Sequence, residues 1–107
     1  MEKDNRAHPR YEVDALVDLQ AGGESSQSPI QNLSLGGICL RTSFLEEVGR
    51  TVDVVLRIPE LDQELSLHGE VVWVNRSPPQ DVGIRWKDLD PERRDVLQRY
   101  LSLVTAS

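Results

Sequence analysis

A chain of 107 residues, 38% apolar and 28% charged, has the make-up of a globular protein with one core and no room for a second. Its net charge of −6 sets it against the phosphate backbone of DNA or RNA, although a local group of cations can still hold a small anion. A single cysteine, Cys39, excludes an internal disulfide framework and a Cys-rich zinc site.

The polar start, MEKDNRAHPR, lacks the apolar segment of a secretory signal, and the run VVWV is far too short to span a bilayer. A cytoplasmic protein without membrane insertion is the expectation. Pro9 disfavours helix at His8, so Arg6 and Arg10 belong on a flexible arm over residues 1–10, able to span about 13 Å across four residues. In YEVDALVDLQ, Tyr11, Val13, Ala15, Val17 and Leu19 alternate with mostly acidic residues, which predicts a half-buried strand over 11–20. AGGESSQS reads as a loop, and PIQNL as a short strand that Pro29 assigns to a sheet edge. GICLRT, residues 37–42, is the next strand, and SFLEEVGR a connecting loop or a single helical turn.

TVDVVLRIP puts Val52, Val54, Leu56 and Ile58 on one face, and ELDQ turns the chain. ELSLHGEVVWVNR follows, with Leu65, Leu67, Val71 and Trp73 on one face and Gly69 as a bulge or bend. SPPQ breaks the pattern before DVGIRW, whose Val82, Ile84 and Trp86 mark a last strand. The period then changes: Leu97, Tyr100, Leu101 and Val104 recur at helical spacing, with Asp90 as N-cap and Pro91 at the first helical position, so a helix is expected over about 91–104. The fold class is all-β with one helix, an antiparallel barrel of five or six strands filling residues 11–107 as a single domain. Parallel βαβ units are excluded, because no crossover helices separate the strands.

Two segments invite a ligand. The planar forks of Arg6 and Arg10 suit phosphate, or the O6 and N7 edge of guanine, although pairing with Asp4, Glu12, Asp14 and Asp18 is the plainer alternative. In NLSLGG, Asn32 and Ser34 favour turns, and Gly36 and Gly37 permit positive φ or close approach. Alone this is an ordinary turn; facing a ligand, Asn32 pairs with the Watson–Crick edge of a base and Ser34 adds a further hydrogen bond. A hairpin over residues 11–32 returns Asn32 to the end of the barrel where Arg10 begins. Neither His8 nor His68 has a second histidine at ligand spacing, so no metal is expected. HExxH, phosphate-loop and nucleophile–base patterns are missing, so neither enzyme nor cofactor is expected.

RAHPR and NLSLGG, with twenty-one residues between Arg10 and Asn32, resemble the double signature of PilZ domains, R-x-x-x-R followed by [D/N]-x-S-x-x-G. GEVVWV, VGIRW and the terminal helix are similar to later segments of that family. The resemblance implies a six-stranded antiparallel β-barrel of the split-barrel kind with a C-terminal helix, binding the bacterial messenger cyclic di-GMP. It implies that Arg6 and Arg10 wrap phosphates and guanine edges, that Asn32 and Ser34 contact guanine, and that Gly37 allows the turn. Trp73 resembles a ring that packs near the ligand, whereas its alternation alone reads as a core tryptophan. Arg76 and Arg85 are candidates for a cation over a base. Asn5 stands where many members carry a basic residue, which leaves one ligand or an intercalated pair open. The implied function is a non-catalytic receptor or adaptor in signal transduction: the ligand orders the arm, and a separate protein effector, or the chain's own oligomer, reads the change. A PilZ-like interaction module that does not bind the nucleotide is the alternative.

Overall fold

The alternation of apolar and polar residues becomes six antiparallel strands that close on themselves. The structure, a computed structural model, describes residues 11–13, 15–42, 44, 47–58 and 62–105. The strands are β1 (Leu16–Ala21), β2 (Glu24–Leu33), β3 (Gly37–Arg41), β4 (Thr51–Ile58), β5 (Gln63–Asn75) and β6 (Asp81–Lys87), followed by α1 (Pro91–Thr105). Around the barrel they run β1-β2-β3-β6-β5-β4, every neighbour antiparallel. Val17, Leu19, Val54, Leu67, Val71, Val82 and Ile84 point inward and are buried, so each strand's period of two supplies one face of a common core.

The first hairpin is tighter than its composition suggests. Ala21 pairs with Glu24, so Gly22 and Gly23 alone form the turn, at φ 61° and 84°. Two consecutive residues at positive φ match the right-handed twist of the flanking strands, which is why the expected AGGESSQS loop shrinks to two residues and the serines join β2. β1 is correspondingly shorter than expected, beginning at Leu16, and Tyr11 meets the sheet only through an isolated bridge to Leu33. Pro29 lies inside β2, opposite Leu16. The amide of Ile30 donates to Ala15 O at 2.9 Å, so the Pro29 nitrogen faces the other way, where pairing with β3 begins only at Ile30. The missing donor therefore costs no ladder bond.

β5 departs from strict alternation at one residue. Val71 pairs with Ile84 but Trp73 with Gly83, which leaves Val72 as an extra residue and turns Trp73 to the outside, 41% exposed. The core position that alternation gives Trp73 is thus corrected by the bulge. Gly69, expected to be the bulge, pairs regularly with Val52 and Trp86. A Cβ there would stand 2.4 Å from Ile84 Cγ2, so this glycine makes room for core packing. Between β3 and β4 the described residues form bends and a turn, tied to β5 by Gly49 N–H to Val71 O at 2.7 Å and Val71 N–H to Arg50 O at 2.9 Å.

The helix starts as its sequence requires. Asp90 Oδ1 accepts from the Arg93 amide at 2.7 Å, Pro91 occupies the first turn, and Leu97, Tyr100 and Leu101 are buried as the helix packs against β5.

Candidate functional site

The corner joining β2 to β3 is built by Ser34. Its hydroxyl accepts from Gly36 N–H at 3.0 Å and Gly37 N–H at 3.1 Å and donates to Gly37 O at 3.3 Å, while the Ser34 amide donates to Gly37 O at 2.9 Å. One donor and two acceptor sites are all a hydroxyl has. Ser34 is 2% exposed, and these bonds give its hydroxyl a corner-building role. Trp86, on β6, locks the corner from below: its indole Nε1–H donates to Ser34 O at 3.1 Å and its amide to Gly36 O at 3.0 Å.

Gly37 serves closeness rather than a left-handed turn. Its φ is not positive, and a Cβ added there would stand 2.2 Å from Ile84 O and 3.2 Å from Arg85 Cα. Only a residue without a side chain lets β3 approach β6 this near.

Leading away from the corner, an outward-facing row crosses four strands. Asn32 pairs with Cys39, Cys39 with Gly83, and Gly83 with Trp73. At sheet spacing this row spans about 14 Å. The indole of Trp73 lies on Gly83, where an added Cβ would come within 2.1 Å of its Nε1, so the absence of a side chain at 83 makes a flat ledge. Cys39 is buried within this row and Asn32 is half-buried at its end. Arg41 and Arg85 flank the row on its two sides. Arg41 Nε donates to Asp81 Oδ1 at 3.1 Å, whereas Arg85 lies 3.6 Å from Glu70 Oε1.

The N-terminal segment enters beside this corner. Tyr11 N–H donates to Leu33 O at 3.0 Å and Leu33 N–H to Tyr11 O at 2.9 Å, so the residue after Arg10 is fixed next to Asn32. Arg6 and Arg10 themselves lie outside the described residues. The structure thus brings Asn32, Ser34 and Gly37 together at one corner, with Trp73 three strands away on the same outer face; Arg76 follows the end of β5. Gly83 and Trp86 were not singled out from sequence as site residues. A glycine inside a strand, in VGIRW, is a signal of close approach that points to Gly83.

The family model described as PilZ domain matches residues 4–103. Comparison with curated protein sequences finds no match. Among solved structures, the Bacillus subtilis inhibitor of motility (MotI/DgrA) superposes with a TM-score of 0.74 at 16% identity, covering 98% of this chain and 54% of that one. YcgR of Escherichia coli in complex with c-di-GMP gives 0.75 at 16% identity, over 95% of this chain and 46% of that one. The chain therefore spans about half the length of these two proteins. The PilZ domain of YcgR with c-di-GMP gives 0.74 at 13% identity, with 96% and 94% covered. At these identities the likeness is one of fold.

Proposed function

We propose that this chain, which belongs to the PilZ domain family, is a non-catalytic cytoplasmic receptor for cyclic di-GMP, held between the RAHPR segment and the outer face beside the NLSLGG corner. The observation that carries this reading is the pair of backbone hydrogen bonds between Tyr11 and Leu33, at 3.0 and 2.9 Å. They anchor the arginine arm one residue from Asn32, so both halves of the signature can reach one ligand. YcgR of Escherichia coli and its PilZ domain, both similar to this chain in fold, hold c-di-GMP in their solved structures.

In this reading Arg6 and Arg10 supply charge-assisted hydrogen bonds to phosphate oxygens and guanine edges. Asn32 pairs with a guanine edge, Ser34 and Gly37 fix the corner that aims it, and the Trp73 ledge offers a face for stacking. A hydrogen bond to a charged group is worth about 1.5–3 kcal/mol, so a few suffice for an affinity near micromolar, about −8 kcal/mol. The ligand favours the arm-ordered state because only that state offers the arginines, and the altered surface is what a separate effector reads.

Calorimetric titration with cyclic di-GMP tests the reading. Arg10→Ala is expected to lose about 2–5 kcal/mol, partly by leaving ligand charge unpaired. Equal affinity in wild type and Arg10→Ala removes the arm from the site, and the absence of any binding heat with the wild-type chain removes the receptor function. The titration endpoint also decides between one ligand and an intercalated pair.

A further inference from the structure

The two arginines beside the Trp73 ledge are held differently. Arg41 is engaged by Asp81 in a hydrogen bond of 3.1 Å. Arg85 stands 3.6 Å from Glu70 Oε1, too far for a hydrogen bond, and its side chain is 65% exposed. Its register partner is Gly37, so it projects from β6 directly across from the glycine corner; Gly83, under the indole, lies two residues earlier on the same face. Two residues along a strand are about 6.8 Å, and neighbouring strands are about 4.8 Å apart. An arginine side chain covers either distance, so its guanidinium can work over the corner or over the ledge.

We infer that Arg85 is a further ligand contact, gripping a phosphate of the cyclic dinucleotide from the β6 side opposite the N-terminal arm, and that Glu70 is the internal counter-ion it leaves to do so. The inference rests on the receptor reading above. In a chain of net charge −6, a doubly charged ligand needs cations that are close and easily released. Arg85 meets both conditions, since its own side chain is exposed and a half-buried carboxylate 3.6 Å away, beyond hydrogen-bond reach, holds it weakly. Its planar fork can offer paired N–H donors to a phosphate, which a point charge cannot. Glu70 then sets the threshold: while it holds Arg85, the ligand competes with a carboxylate for the same guanidinium.

The test is a calorimetric titration with cyclic di-GMP of the full chain and five variants. Arg85→Gln is expected to bind about tenfold to a hundredfold more weakly, the worth of one charge-assisted hydrogen bond. Glu70→Gln is expected to bind up to about fivefold more tightly, since so loose an ion pair is worth no more than that. In the double variant the gain from Glu70→Gln disappears, because no guanidinium remains to be released. Arg57→Gln is the charge-matched control. Arg57 sits on β4, bound to Asp18 and, at 2.7 Å, to Glu64, on a strand remote from β3 in the barrel order, and its loss should leave affinity unchanged.

Arg10→Ala separates the possible failures. If Arg10→Ala weakens binding while Arg85→Gln matches wild type or Arg57→Gln, the Arg85 assignment is overturned and the receptor reading stands. If the wild-type chain gives no heat, both fall. Should Arg85→Gln fold poorly, Glu70→Gln alone reads the same coupling, and an unchanged or weaker affinity overturns the counter-ion role.

Discussion

Replacing Gly37 by alanine is the sharpest perturbation of the corner. The new Cβ would start 2.2 Å from Ile84 O, whereas real Cβ contacts essentially never fall below 3.0 Å. β3 and β6 must therefore part locally by at least about 0.8 Å, the shortfall between those two distances. The obstacle is backbone on the partner strand, so no side-chain rotation can relieve it. The bonds in the way are those that Trp86 makes to the corner, from its amide to Gly36 O at 3.0 Å and from Nε1 to Ser34 O at 3.1 Å. Stretching both by that amount takes them beyond hydrogen-bond reach, and a buried polar group left unsatisfied costs about 1–3 kcal/mol. The expected destabilisation of Gly37→Ala is about 2–5 kcal/mol, a large share of the roughly 5–15 kcal/mol that holds a domain of this size. Urea unfolding followed by Trp fluorescence should show the midpoint falling by about 1–3 M with the slope unchanged. Gly23→Ala is the contrast: its φ of 84° carries strain of about 1–2 kcal/mol, yet no atom lies within 4 Å of the new methyl. If Gly37→Ala costs less than Gly23→Ala, close strand approach is not what position 37 is for.

Three further outcomes follow from the same geometry. Ser34→Ala leaves the amides of Gly36 and Gly37 without their acceptor in a buried corner and should cost about 1–3 kcal/mol in urea unfolding; a change below about 0.5 kcal/mol would mean the corner holds itself. Gly83→Ala should push the indole of Trp73 off its ledge at a stability cost of less than about 1 kcal/mol, because a surface side chain can swing away. Acrylamide should then quench Trp fluorescence more strongly than in wild type, and unchanged quenching would refute the contact. Leu97→Ala, at a fully buried position of the helix, should cost about 2–5 kcal/mol in a single unfolding transition; two separate transitions would show that helix and barrel do not unfold as one unit.

Local rules made much of this molecule readable. Val52, Val54, Leu56 and Ile58 advertised β4, and Asp90 with Pro91 advertised the helix start, because each signal depends only on residues near in sequence. What was misread depended on partners. The serines of β2 look like loop residues until two glycines at positive φ pair them with β1. Trp73 looks like core until the extra residue at Val72, set by pairing with β6, rotates the strand. At the candidate site, Asn32, Ser34 and Gly37 were visible as a motif, but their division of labour was not. Ser34 is occupied by its own corner and Gly37 by the approach of β6, facts that depend on Trp86 and Ile84 some fifty residues on.

The bulge at Val72 also gives β5 two phases. Before it, Leu65, Leu67 and Val71 serve the inside of the barrel; after it, the odd-numbered Trp73 serves the outside. One supernumerary residue acts as a phase shifter, so a single strand supplies mortar to the interior and a tile to the exterior at the cost of one unpaired position in its ladder with β6. Position 72 is therefore defined by count rather than by chemistry: what matters there is that a residue exists, more than which one it is.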